Sequence, residues 1–174
     1  LLKTKKARKK RTTNQFAIKN NLSNKLLNSL EFNLTAAQSR CIKEIHADLS
    51  NTEPMLRLLQ GDVGSGKTIV AIFALIQAVE NNFQTAVMTP TEILARQHLQ
   101  NFTDYLKPLT IQIAYLSGSQ NTQERREQLE LIETGKAKVI IGTHALFQEN
   151  VNFENLSLVI IDEQHKFGVH QRLS

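Results

Sequence analysis

Residues 61–68 read Gly-Asp-Val-Gly-Ser-Gly-Lys-Thr, and no other stretch restricts so strongly what this chain can fold into. They satisfy the pattern G-x-x-x-x-G-K-[ST] at every fixed position. The apolar run MLRLLQ precedes the motif and the helix-forming run IVAIFALIQAVE follows it. Glycines let the backbone curl so that its N–H groups face inward around an anion. The N-terminus of the following helix adds partial positive charge. Gly61, Asp62, Val63, Gly64, Ser65 and Gly66 are therefore expected to cradle phosphates. Lys67 reaches the β/γ-phosphate oxygens, and the Thr68 hydroxyl takes a Mg²⁺ coordination position. A merely flexible glycine-rich loop has no need of a strand before it and a helix after it in register.

Five short runs rich in Val, Ile, Leu and Thr read as buried strands: 55–60, 84–89, 111–116, 137–142 and 157–162. Stretches with helical spacing separate them. Ile69, Ile72, Phe73, Ile76 and Val79 fall at a helical period, and 91–106 and 121–134 also read as helices. Strand alternating with helix predicts an α/β fold, a parallel sheet with helices on both faces. Polar residues gather where the later strands stop, which is where open α/β sheets bind ligands. Upstream, 35–50 predicts a helix with Thr35 as N-cap, and LSNKLLNSL alone carries helical spacing in the lead-in.

Charge is unevenly placed. Seven of the 21 Lys and Arg residues lie in positions 1–11 without an acid, leaving 14 against 16 Asp and Glu in the rest. The basicity is an appendage, suited to phosphate backbones or to a solvated tail. The boundary falls near residue 31, with a basic lead-in over 1–30 and an α/β domain over 31–174. No apolar stretch reaches the roughly eighteen residues that span a bilayer, and the charged N-terminus is unlike a signal peptide. The absence of a starting Met suggests a fragment. The lone Cys41 excludes an internal disulfide and suits a reducing cytoplasm. His46 and His98 lie on predicted helices and read as solvated faces; Cys41 reads as buried. No His, Cys and Asp spacing suggests zinc.

A phosphate loop needs a metal partner and a way to activate water. Residues 157–165 read SLVIIDEQH. Asp162 ends a strand and suits a Mg²⁺ ligand, and Glu163 beside it suits a general base for the attacking water. Adjacent acids end many plain loops too; the phosphate loop upstream favours the chemical reading.

At Asp162-Glu163-Gln164-His165 the chain resembles the superfamily 2 helicases and translocases, whose second nucleotide motif is a D-E-x-H box. Phe32-Asn33-Leu34-Thr35-Ala36-Ala37-Gln38 resembles the adenine-reading Q motif, which implies that Gln38 bonds the adenine edge with Phe32 nearby. Residues 88–98, MTPTEILARQH, resemble motif Ia, and 141–146, IGTHAL, resemble motif Ib. Those likenesses imply DNA-backbone contacts at Thr89, Thr91, Thr143 and His144, which fall at strand ends or helix starts. Gln164 and His165 would couple nucleotide state to DNA.

Together with LLQGDVGSGKT, the LSGS turn and IDEQHKFGV, these segments closely resemble the RecG family of bacterial branched-DNA helicases. The transcription–repair coupling translocases and primosomal helicases usually carry D-E-E-H instead. Lys166 departs from the family's usual Arg, keeping charge but losing the planar fork. The resemblance implies a first RecA-like motor domain with ATP and Mg²⁺ as cofactors and with branched or duplex DNA as partner. It further implies a monomeric, cytoplasmic, bacterial full-length enzyme without membrane association, acting in fork remodelling, recombination and repair. It implies that residues 1–30 connect to a wedge domain, and that the segment alone binds nucleotide weakly and unwinds nothing. The rival readings are the same domain of a coupling translocase, a P-loop metabolite kinase, and a non-enzymatic nucleotide-binding module.

Overall fold

The computed structural model describes residues 13–162. The basic run 1–11, and Glu163, Gln164 and His165 with Lys166, lie outside the described residues. The chain divides into two compact units, Leu1–Asn81 and Asn82–Ser174, each described by itself.

Among its described residues the first unit carries three helices: α1 (Asn21–Ser29), α2 (Ala36–Leu49) and α3 (Lys67–Glu80). Leu26 of α1, Ile42, Ile45 and Leu49 of α2, and Ile69, Phe73 and Ile76 of α3 are buried. Helix α2 begins where its sequence says it should. Thr35 Oγ1 accepts from Gln38 N at 3.1 Å, and Gln38 Oε1 accepts from Thr35 N at 2.9 Å, a reciprocal capping box. The segment before α1 lacks regular structure yet is tied down. Phe16 N donates to Leu49 O, and the Asn81 side chain brackets Ala17, accepting from its N–H at 2.9 Å and donating to its carbonyl at 2.8 Å. Asn81 thereby stands in for a ladder partner and satisfies backbone groups that no helix or sheet serves.

The run 55–60, expected as a buried strand, pairs with no strand among the described residues. Leu56 and Leu58 are 73% and 71% exposed. What holds the run is a side chain: Arg57 donates to Asp48 at 2.6 and 2.9 Å and to Glu44 at 2.7 Å, both on α2. An apolar run with β-forming residues becomes a strand only where a neighbour supplies ladder partners.

His46, expected on a solvated face, is buried at 8% exposure. Its Nε2 lies 3.1 Å from Phe73 O and, as the partner can only accept, carries the hydrogen. Burial pulls its pKa below the ordinary 6.5, outweighing the Phe73 carbonyl and the Glu80 charge, which both push it up. The unfolded chain therefore takes up a proton at this position before the folded one does. Stability from His46 is complete above about pH 6.5 and is lost as pH falls through the lower folded value. The urea midpoint is expected to fall between pH 7.5 and 5.5, and His46→Gln to flatten that slope; an unchanged slope contradicts the assignment.

The second unit is an α/β layer. Strands β1 (Gln84–Met88), β2 (Ile113–Leu116), β3 (Val139–Gly142) and β4 (Leu156–Ile161) form one sheet in the order β2-β3-β1-β4, with every pairing parallel. Helix α4 (Glu92–Leu106) links β1 to β2 and α5 (Thr122–Glu133) links β2 to β3. Ala86, Met88, Ala114, Leu116 and Ile140 form one sheet face, packed with Ile132 of α5. Tyr115 points the other way by the period of the strand, and Arg96 of α4 lies over its ring, 5.5 Å from the centroid. The two helices thus cover opposite faces, which is why these strands read as continuous apolar runs. At the β2 edge, Gln128 Oε1 accepts from Tyr115 N and Gln120 Nε2 donates to Tyr115 O. Side chains here complete a ladder that would otherwise present unpaired groups.

Candidate nucleotide and nucleic-acid sites

In the first unit, the loop 61–66 turns into α3 through two left-handed glycines, Gly64 at φ 79° and Gly66 at φ 77°. A Cβ on Gly64 would meet nothing within 4 Å, so that glycine serves conformation rather than space. No side chain caps α3; Gly66 is its N-cap, and the first-turn N–H groups are left for something other than a capping side chain. Lys67 Nζ donates to the carbonyls of Gly61 and Asp62, each at 2.9 Å. The ammonium is held across the mouth of the loop by two neutral acceptors that it can exchange for charged phosphate oxygens. Backbone curl, open approach and helix start together fit a bound phosphate chain.

Gln38 touches this loop. Its Nε2 donates to Ser65 O at 3.0 Å while its Oε1 caps α2. One amide therefore ties the helix start to the phosphate loop. Each end of that amide retains bonding capacity, one N–H and one lone pair, for a base edge. Phe32 is 46% exposed and is not a core residue. Cys41 is half-buried rather than buried.

In the second unit, the C-terminal ends of the strands line up. Asp162 N donates to Met88 O, Thr89 N to Gly142 O, and Thr143 N to Leu116 O. These bonds set Ser117, Thr143, Thr89 and Asp162 in a row along one edge of the sheet. Thr89 and Thr143 are buried. Thr89 Oγ1 donates to Thr91 O at 3.1 Å, and Thr143 caps a 3₁₀ turn over His144–Phe147. Their hydroxyls shape the chain. Thr91 and His144 are the exposed pair of the four, and Thr91 Oγ1 caps α4 by accepting from Leu94 N. Glu92 in the first turn of α4 accepts from Ser119 Oγ and N at 2.5 and 3.0 Å. The Ser119 hydroxyl is the main reason its carboxyl titrates below the usual range.

Asp162 has a partner that sequence reasoning missed. His98 Nε2 lies 2.7 Å from Asp162 Oδ2. His98 had been expected on a solvated face, yet its side chain is 16% exposed. The signal was present: Ala95, His98, Phe102 and Leu106 fall at spacings of three and four, the buried stripe of α4. Asp162 and Thr68 offer hard oxygen donors. Among the described residues no group of three or more His, Cys, Asp or Glu forms a metal cage. Magnesium asks for no such cage, since it keeps waters and shares one or two carboxylates with phosphates; each of these oxygens, taken by itself, is of the kind it binds.

A glycine loop of this geometry and a parallel sheet with a carboxylate at the end of β4 define a P-loop nucleotide-binding protein. The chain belongs to the DEAD/DEAH box helicase family, which matches residues 35–174. It is 52% identical over 153 residues to the ATP-dependent DNA helicase RecG of Escherichia coli strain K12, covering 88% of this chain and 22% of that protein. The RecG of Aquifex aeolicus strain VF5 is 52% identical over 148 residues, covering 85% and 19%. The chain thus spans about a fifth of the length of the curated relatives it matches. A solved structure of RecG bound to a three-way DNA junction superposes with a TM-score of 0.89 at 45% identity, over 95% of this chain and 23% of that one. A hypothetical ATP-dependent RNA helicase from Sulfolobus tokodaii shares the fold, with a TM-score of 0.59 at 20% identity over 83% of this chain and 41% of that one.

Proposed function

We propose that this chain is the ATP-binding first motor domain of a RecG-type helicase, which hydrolyses ATP with Mg²⁺ to move along branched DNA. The left-handed glycine loop opening onto α3, with Lys67 drawn across it, carries the reading. The likeness to a RecG structure bound to a three-way DNA junction, with 52% identity to RecG over most of the chain, supports the branched-DNA partner over the coupling-translocase and kinase readings. Residues 61–66 hold the phosphates by backbone N–H groups, and Lys67 neutralises charge that grows on the transferring group. Thr68 and Asp162 would each offer an oxygen to the metal. When bound, magnesium would supply charge neutralisation to the phosphate chain. Gln38 holds the adenine edge with Phe32 beside it, and Glu163 aims and deprotonates the attacking water. Thr91 and His144 meet the DNA backbone, Thr89 and Thr143 orient the segments that carry them, and Gln164 and His165 link the two events. Residues 1–30 form the lead-in from a neighbouring domain, and 31–174 the motor domain. A cytoplasmic, monomeric whole protein completes the proposal.

Glu163→Gln separates an enzyme from a passive binder. In the full-length protein it is expected to lower ATP turnover about 10²- to 10⁴-fold, the usual contribution of a general base, while ATP stays bound. Turnover within a few-fold of wild type would remove Glu163 from the chemistry.

A further inference from the structure

The His98–Asp162 pair points to a role for a residue that none of the helicase motifs discussed above uses for nucleotide chemistry. His98 lies on the buried stripe of α4, with the Phe102 ring edge-on at 5.8 Å. Its Nδ1 is buried and has no hydrogen-bond partner among the described residues. A leucine or a phenylalanine would fill such a place without an orphaned polar atom. The histidine earns its position through the other nitrogen, Nε2, 2.7 Å from Asp162 Oδ2. A carboxylate only accepts, so Nε2 carries the hydrogen whatever the charge of the ring.

Asp162 is thereby held at both its backbone and its carboxylate. Its backbone N–H is held by Met88 O at the end of β1, and its carboxylate is held by α4. The last torsion of a carboxylate is a broad and soft one. The bond from His98 restrains the plane of the group, and so the direction from which its oxygens meet a cation. The helix that supplies His98 is rigid over the two turns back to its cap at Thr91, about 10 Å by helical rise.

We propose that His98 is a positioning residue for Asp162, the carboxylate read above as a magnesium ligand, restraining the orientation in which it meets the cation. This rests on the ATP-site reading above. Outer partners of metal-binding groups typically change metal affinity or activity 10- to 100-fold when removed. The test is carried out on the full-length protein containing this chain, with a fluorescent ADP analogue titrated by magnesium and an EDTA baseline, so that no hydrolysis is read. His98→Leu is expected to need about tenfold more magnesium for half-maximal binding, with metal-free nucleotide affinity unchanged. His98→Gln, whose amide N–H reaches nearly as far as Nε2, is expected to restore the wild-type magnesium dependence. His98→Asn, one carbon shorter, is expected to fall with the leucine variant, and the Gln/Asn comparison decides the matter even where leucine loosens α4.

Wild-type magnesium dependence in His98→Leu would overturn the inference. So would equal impairment of the Gln and Asn variants, which would mark His98 as a packing residue. If the wild-type protein itself bound the nucleotide without magnesium dependence, the ATP-site reading would fail and the inference with it. The two failures are distinguished by the wild-type titration.

Discussion

Lys67→Ala is expected to reduce ATP turnover of the full-length protein by about 10²- to 10³-fold, the usual effect of deleting one charge-stabilising donor from a preorganised site. The ammonium has two tasks. In the proposed function it meets the charge that grows as the phosphoryl group transfers, and in the structure it bonds Gly61 O and Asp62 O. Alanine removes both. The second loss bears on the loop rather than on the chemistry, so nucleotide affinity should fall as well as turnover. Steady-state hydrolysis with saturating junction DNA, read beside equilibrium nucleotide binding, separates these effects. Turnover within tenfold of wild type would show that the loop does not hold the reacting phosphates.

Gly142→Ala is the substitution expected to damage the fold most. Gly142 ends β3 and is paired on both sides, with Leu116 of β2 and Met88 of β1. A Cβ there would stand 2.1 Å from Leu116 O, and 3.1 Å from both the Leu116 carbonyl carbon and Leu146 Cδ2. The nearest atom is backbone in a neighbouring strand and cannot swing aside. Overpacking of this kind costs about 3 kcal/mol, which for a domain of this size corresponds to a fall in Tm of roughly 10 °C. Gly64→Ala is the matching control. Its Cβ would touch nothing, and only the positive φ opposes it, a strain of about 1 kcal/mol. Thermal melts in which both variants fall equally would contradict the steric account of Gly142.

The parts of the fold visible in the sequence are those set by local chemistry. The phosphate loop announced itself because its glycines, lysine and threonine sit at fixed offsets between two apolar elements. The capping box at Thr35 and Gln38 is equally local. Strands β1 to β4 were visible because a sheet covered on both faces leaves no polar alternation. Residues 55–60 carried the same apolar signal, yet apolar character reports a preference for burial and not a ladder partner. His46 and His98 were misplaced for a related reason. Polarity argued for solvent, while the period of each helix placed them on the packed side, and their partners lie 27 and 64 residues away in the chain. Gln38 shows the remaining gap. Its motif likeness spoke of adenine, and its bond to Ser65 O, which ties a helix cap to the phosphate loop, is visible only in three dimensions.

The central claim is that this segment is the nucleotide half of a motor driven against branched DNA. Its most direct test is the ATPase rate with and without a three-way junction, for this chain and for the full-length protein. The account predicts that only the full-length protein turns over ATP appreciably and that the junction raises its rate. Brisk hydrolysis by this chain alone, indifferent to DNA, would contradict it.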